Sequence, residues 1–329
     1  MKKIAVLFGG NSGEFDVSAG SGRVVASYLE KEGYKAYLIC VKGSDWFYEG
    51  SNKEKISIDK NDFTLTLNQE RIDFDCVFNA IHGDPGENGR IEGYFEIMNI
   101  PCTSSGVTSS ALTFHKNFCN RVVKSYGIKV ADSIIIRSKE EYSADDVIQS
   151  IGLPCFVKPC SSGSSVGVTK VKAATELPLA LNKVFEVDEE AMIESFTKGR
   201  EFGCGVVELD GKLIALPLTE IISENDFFDY EAKYTKGKAL EVTPPENLNL
   251  EAENNMKHIS VILYRELACQ GFVRFDYILP PQSNEPVFLE VNTIPGLSVA
   301  SIIPQQVSEY GMELGKFFTQ IVEDTLKRR

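Results

Sequence analysis

The sequence predicts an α/β chain, α+β in its later part, built in three sections, the first holding an open parallel sheet. Three observations predict it. Residues 3–8 form an apolar strand, followed by a Gly-rich turn, a helical stretch at 18–31 and a strand at 36–41, the β-loop-α-β start of a parallel sheet. A length of 329 residues suffices for two or three compact domains. Toward the C-terminus, two alternating segments at 270–279 and 286–292 read as strands with a polar and an apolar face.

Taken in order, the first section continues with a strand at 75–80 and a loop dense in turn formers, His82-Gly-Asp-Pro-Gly-Glu-Asn-Gly89. A plain surface turn would have this composition, but His82 directly after a buried strand sits where binding loops sit. A helix at 93–99 leads to a boundary near 104. The second section opens on a helix at 109–126, with Lys116 on its polar side, where a lone Lys is usually only solvated. The third begins near 192–194 with strand–turn–strand, then a strand at 213–222, a polar aromatic stretch at 227–238, a helix at 250–270 and a last helix at 312–326. The spans expected are thus 1–104, 105–193 and 194–329. Long irregular stretches such as 227–238 often act as lids.

Composition excludes several classes. Hydrophobic residues at 43% and charged ones at 25% are those of a globular chain, and no run reaches the ~20 apolar residues of a membrane span. The basic start Met1-Lys-Lys has too short an apolar run for a signal peptide, so a cytoplasmic location is expected. A net charge of −13 argues against nucleic acid or an anionic membrane as main partner, and any anionic ligand needs local Lys and Arg. The eight cysteines show no Cys-x-x-Cys pair and read as reduced core residues; three dispersed histidines make no histidine metal site.

Chemistry concentrates in two stretches. At 270–292, Arg274 and Asp276 share one face of the first strand, Glu290 and Asn292 one face of the second, and the short link makes the strands antiparallel neighbours. Val273, Phe275 and Tyr277, with Val287, Leu289 and Val291, form the apolar back. Two carboxylates and an amide suit a hard cation such as Mg²⁺ bound with phosphates, and the arginine suits developing negative charge. A wet, salt-bridged sheet face is the ordinary alternative. Asn-Thr-Ile-Pro-Gly296 follows, its glycine allowing close backbone approach. At 154–171, a strand ending in Lys158 leads through a Gly/Ser loop to a second strand, a combination that can wrap phosphate oxygens. It is no Walker loop, and Gly-x-Gly-x-x-Gly is missing from the N-terminal turn. The loop matches the nucleophile-elbow pattern at Gly163-Ser-Ser165-Val-Gly167, which would make a serine hydrolase. An elbow needs a helix next, whereas Val166, Val168, Thr169 and Val171 favour a strand, and His258 reads as a surface residue.

Together Phe8-Gly-Gly-Asn-Ser-Gly-Glu14, His82-Gly-x-x-Gly-Glu, Val157-Lys-Pro with Gly163-Ser-Ser-Val-Gly, Phe228-Asp-Tyr-Glu-Ala-Lys-Tyr234, Arg274-x-Asp276 and Glu290-Val-Asn-Thr-x-Pro-Gly296 resemble the D-alanine–D-alanine ligases of the ATP-grasp superfamily. The resemblance spans nearly the whole chain and implies a three-domain ATP-grasp architecture. It implies that ATP phosphorylates one D-alanine, a second attacks the acyl phosphate, and the dipeptide serves peptidoglycan synthesis. It implies Asp276, Glu290 and Asn292 as ligands of Mg²⁺ or Mn²⁺, as two ions, with Lys116, Lys158 and Lys233 on phosphates. Glu194 and Glu201 would line the adenine and ribose site. Glu14, with His82 close by, would bind the first alanine, and Ser301 the second. Arg274 and the Gly296 amide would form the oxyanion site, and Ser164 and Tyr234 would link Glu14 to the lid. Tyr234 favours D-alanyl-D-alanine as product, and a homodimer is implied. The chain departs from the common pattern at Asp16, Asn88, His115 and Val299-Ala300, the last placing second-substrate choice between D-alanine and D-serine in question. Other carboxylate–amine ligases, and a non-catalytic nucleotide binder, are the remaining alternatives; the intact metal triad and Arg274 count against the binder.

Overall fold

A computed structural model describes residues 1–50, 52, 54–163, 166–223 and 239–328. The site residues expected at Ser164, Lys233 and Tyr234, with the whole lid stretch at 227–238, lie outside the described residues.

The first section is a seven-stranded sheet. Strands β1 (Lys3–Gly9), β2 (Lys35–Lys42) and β7 (Cys76–Asn79) are parallel in the order β7-β1-β2. The open parallel sheet expected from the sequence stops there. Strands β3 (Asp45–Glu49), β4 (Lys55–Asp59), β5 (Thr64–Leu67) and β6 (Glu70–Ile72) extend it as an antiparallel meander. Helix α1 (Phe15–Lys31) crosses from β1 to β2, and α2 (Arg90–Ile97) follows the His82 loop.

The second section opens on two helices, α3 (Val107–Phe114) and α4 (Lys116–Ser125), where a single one was expected. His115 is extended between them (φ −92°, ψ 98°), and its ring nitrogen accepts from the Phe118 N–H at 3.4 Å, starting a new helix. Then come β8 (Ser133–Arg137), α5 (Ala144–Ile151), β9 (Cys155–Pro159), β10 (Thr169–Val171), α6 (Leu177–Phe185) and β11 (Glu190–Ser195). Their four strands pair antiparallel in the order β10-β9-β11-β8. A strand after the Gly/Ser loop removes the nucleophile-elbow reading. The expected boundary at 193/194 falls inside β11, a strand paired with β8 and β9.

The third sheet holds β12 (Arg200–Leu209), β13 (Lys212–Ala215), β14 (Thr219–Ser223), β15 (Ala239–Val242), β16 (Phe272–Leu279) and β17 (Val287–Asn292). The single strand expected at 213–222 is two, because Pro217 cannot continue a ladder. Helix α7 (Leu250–Glu266) buries Met256, Leu263 and Tyr264 against Phe202, Phe275 and Tyr277 of this sheet. Helix α8 (Ile302–Glu309) precedes α9 (Leu314–Lys327), whose Phe317, Phe318, Ile321 and Val322 are fully buried with Ile4, Val6, Leu29 and Phe272. The last helix thereby joins the first sheet to the third, with Phe318 edge-on to Phe78 at 5.7 Å. Burying each such side chain stabilises by about 1.5–3 kcal/mol. Among the described residues the cysteines are free and, save half-buried Cys102, buried; no helix is long and apolar enough to cross a membrane.

Candidate active site

The pair β16–β17 carries the centre of the site. Arg274 lies opposite Asn292 and Asp276 opposite Glu290. The Arg274 guanidinium grips Asp276 with two bonds, Nε to Oδ1 at 2.7 Å and Nη2 to Oδ2 at 2.8 Å, and Asn292 Nδ2 donates to Oδ2 at 2.9 Å. Burial works against the Arg274 charge, but Asp276, Glu290 and Glu241 together outweigh it and raise its pKa above the ordinary value. The apolar back differs from expectation in one residue. A register shift beside Asp276 and Tyr277 places Phe288 opposite Tyr277, so Phe288, rather than Leu289, joins Val291 in the core. Such a bulge leaves Leu289 out of the ladder and re-aims the side chains on either side of it. Behind the pair, a Cβ on Gly203 of β12 would stand 3.2 Å from Arg274 Cδ and 3.3 Å from Asp276 Oδ1, so only glycine leaves the pair its full space.

Lys116 approaches this face, and Lys158 lies on the sheet of the second section. Lys116 starts α4, its ammonium 3.8 Å from Glu290 Oε2 and bonded to the Ser162 carbonyl. It is not the solvated helix-side lysine of the sequence reading, because the break at His115 turns it inward, with 15% of its side chain exposed. Lys158 on β9 pairs with Glu194 on β11 at 2.6 Å, both nearly buried, and Asn120 Nδ2 reaches the other Glu194 oxygen at 3.5 Å. Glu201 is half-buried on β12, beside Ile221 and Ile278 of the flanking strands.

The first section supplies the remaining wall. Glu14 stands at the start of α1, its carbonyl accepting from Ser18 N–H at 2.9 Å. A Cβ on Gly163 would lie 2.6 Å from Glu14 Oε2, so the Gly/Ser loop packs directly on this carboxylate. His82 is buried, its Nε2 3.1 Å from Ser21 Oγ, and that hydroxyl accepts from Leu297 N–H at 3.2 Å. Burial holds the His82 ring below its ordinary pKa, against the pull of Glu14, so it is neutral at neutral pH. Gly296 lies against Ser301, whose hydroxyl meets Ser298 Oγ at 2.7 Å just before α8. The three sections meet at a cavity of about 40 Å³ lined by Glu87, Lys116, Gly163, Glu290 and Asn292.

Glu87 closes the His82-Gly-x-x-Gly-Glu motif, and its spacing alone gives it no separate role. It is buried, accepts from Gly83 N–H at 2.9 Å and Ile294 N–H at 3.3 Å, and so pins the His82 loop to the turn after β17. Gln306 is fully buried and accepts from Gly205 N–H at 3.0 Å while donating to the Gly203 carbonyl at 2.9 Å. The signal for it was Gly203-Cys-Gly205 inside a strand, which marks a close approach.

The His82 loop is also held from below. Asn79 Nδ2 donates to the Gly86 carbonyl at 2.9 Å and to Glu92 Oε1 at 3.1 Å. Burial pushes the Glu92 carboxyl up to about 7, against hydrogen bonds from its surroundings. In the unfolded chain it would ionise near 4.5. Its contribution is therefore full below about 4.5 and is lost as the pH rises to about 7. Glu92→Gln, which stays neutral and keeps the acceptor for Asn79, flattens that part of the profile. Unfolding midpoints at pH 4.5–8 check this, and parallel profiles for both proteins would refute it.

The residues present fit a hard divalent cation. Asp276 and Glu290 are carboxylates facing each other across the ladder, and Asn292, two residues after Glu290, adds an amide, the all-oxygen donor chemistry such a cation takes. With its nitrogen on Asp276, Asn292 presents its carbonyl oxygen.

Comparisons with known proteins bear on the whole chain rather than on single residues. Residues 3–105 match the family model for the D-ala D-ala ligase N-terminus, and 122–323 that for the C-terminus. A curated D-alanine--D-alanine ligase of Flavobacterium johnsoniae is 44% identical over 326 residues, 99% of this chain and 100% of that protein. The crystal structure of D-alanyl-alanine synthetase A from Vibrio cholerae superposes with a TM-score of 0.89 at 27% identity, over 99% of this chain and 98% of the other. VanG D-Ala:D-Ser ligase from Enterococcus faecalis superposes at 0.85 with 32% identity, over 98% and 99%. With both family models matched in order and a full-length relative well above 30% identity, the chain belongs to the D-alanine–D-alanine ligase family.

Proposed function

We propose that this ligase joins two D-alanines with ATP at the cavity where the three sections meet. The observation that carries the reading is the Arg274–Asp276 pair, set opposite Asn292 and Glu290 and facing Lys116 and the Gly/Ser loop. Lys116 and Lys158, with Lys233, would neutralise phosphate oxygens. Glu194 and Glu201 would lie along the nucleoside. Mg²⁺ or Mn²⁺, as two ions on Asp276, Glu290 and Asn292, would supply positive charge to the transferring phosphoryl group. Glu14 offers its carboxylate to the first alanine's ammonium, and neutral His82 neither repels that cation nor competes for it. Arg274 and the Gly296 N–H would receive the oxyanion formed as the second amine attacks. Ser301 would take the second carboxylate, and Ser164 and Tyr234 would connect Glu14 to the covering segment, keeping water from the acyl phosphate. A cytoplasmic homodimer supplying peptidoglycan precursor is the setting this chemistry implies.

Phosphate release with Mg²⁺, ATP and D-alanine, with the product weighed by mass spectrometry, tests the reading. Release that depends on D-alanine and yields the dipeptide is expected; ATP turnover indifferent to D-alanine would overturn it. Likeness to VanG, together with Val299-Ala300 before Ser301, favours one second reading, a D-alanine–D-serine ligase. Equal supply of both amino acids decides it by which dipeptide accumulates.

A further inference from the structure

Beside the nucleotide-facing lysines lies a cluster that the proposed reaction does not use. His115, Cys160 and Glu190 each offer one ligand atom, and these atoms lie within 4.8 Å of one another. His115 Nε2 is 3.1 Å from Glu190 Oε2. The three come from different elements, the break before α4, the residue after β9 and the first residue of β11. Their backbones are locked together, with Cys160 N–H on the Glu190 carbonyl at 3.1 Å and Lys116 N–H on the Cys160 carbonyl at 2.8 Å. Arg137 Nε holds the second Glu190 oxygen at 2.8 Å, the kind of outer partner that orients a ligating carboxylate. Cys160 is buried, while His115 and Glu190 keep 19% and 22% of their side chains exposed, so an ion has a way in.

We propose that His115, Cys160 and Glu190 form a binding site for one borderline-soft divalent metal of the Zn²⁺ type. A thiolate, an imidazole and a carboxylate select Zn²⁺ or Co²⁺ over Mg²⁺, which prefers oxygen alone. Three protein ligands leave the fourth tetrahedral position to water. Tetrahedral bonds of 2.0–2.3 Å put ligand atoms about 3.4 Å apart. The cluster therefore closes by roughly an ångström at its widest separation. On binding, the Cys160 thiol releases its proton to solvent. The imidazole proton moves to Nδ1 when the metal takes Nε2, which ends the 3.4 Å bond from Phe118 N–H. That bond caps α4, so its loss is a cost that the metal–imidazole bond must outweigh. The site is separate from the hard-cation face, whose donors are all oxygens.

Titration of the full chain with Co²⁺ in excess Mg²⁺ reads the site directly, because only a bound thiolate gives the near-ultraviolet charge-transfer band. One equivalent, displaced by Zn²⁺, is expected. His115→Asn keeps a helix-capping acceptor, and with Cys160→Ser it should weaken Co²⁺ binding by at least about tenfold, since even outer-sphere partners are worth that much. A wild-type protein without the band, or a band unchanged in both variants, overturns the proposal. The readout needs no turnover, so it stands or falls apart from the ligase reading.

Discussion

Arg274→Ala is expected to lower turnover by about two to three orders of magnitude, the loss that would follow removal of an oxyanion donor in the proposed role. The geometry makes the effect specific. Arg274 is held by two bonds to a buried carboxylate, so its side chain reaches the reaction already oriented and gives up no rotamer freedom there. The fork also matters, because an ammonium cannot make both bonds. Arg274→Lys should therefore recover only part of the loss, although the charge is kept. Steady-state kinetics on folded protein decide the case. The signature is a fall in kcat with KM for ATP little changed; a fall confined to KM would assign Arg274 to ground-state binding instead.

The second large effect is on stability. Glu194→Ala leaves the ammonium of Lys158, a residue with 9% of its side chain exposed, without its 2.6 Å partner. Breaking such a buried pair destabilises by about 3–5 kcal/mol. The double substitution Lys158→Met with Glu194→Leu removes both charges and should regain most of that stability while losing nucleotide binding. Denaturant midpoints for the three proteins measure this. A single variant as stable as the parent would show the pair to be dispensable to the fold.

The sequence made the centre of the site legible because strand alternation is a strong signal. Arg274 and Asp276, then Glu290 and Asn292, stand out two apart among apolar residues, and their antiparallel pairing follows from the short link. The bulge was not legible. Phe288 and Leu289 are both apolar, so alternation alone chose the wrong one for the core. The turn of Lys116 into the site was hidden for a related reason: apolar spacing runs through 109–126 without a proline or glycine, and the break depends on one histidine acting as a cap. The meander from β3 to β6 escaped because its short strands are edged by charge and carry no sustained pattern. Glu87 and Gln306 matter through backbone groups far along the chain, which local spacing does not report.

The hydrogen bond from Leu297 N–H to Ser21 Oγ spans 276 residues, and that from Ile294 N–H to Glu87 spans 207. Contacts of such separation form late, after the loops between them have closed. On the ribosome, the N-terminal section can fold while the remainder is still being made. The wall it contributes, with Glu14 and His82, then waits for residues 274–301. On the proposed site, a chain truncated before residue 290 lacks Glu290 and Asn292 and is expected to be inactive however well its earlier sections fold.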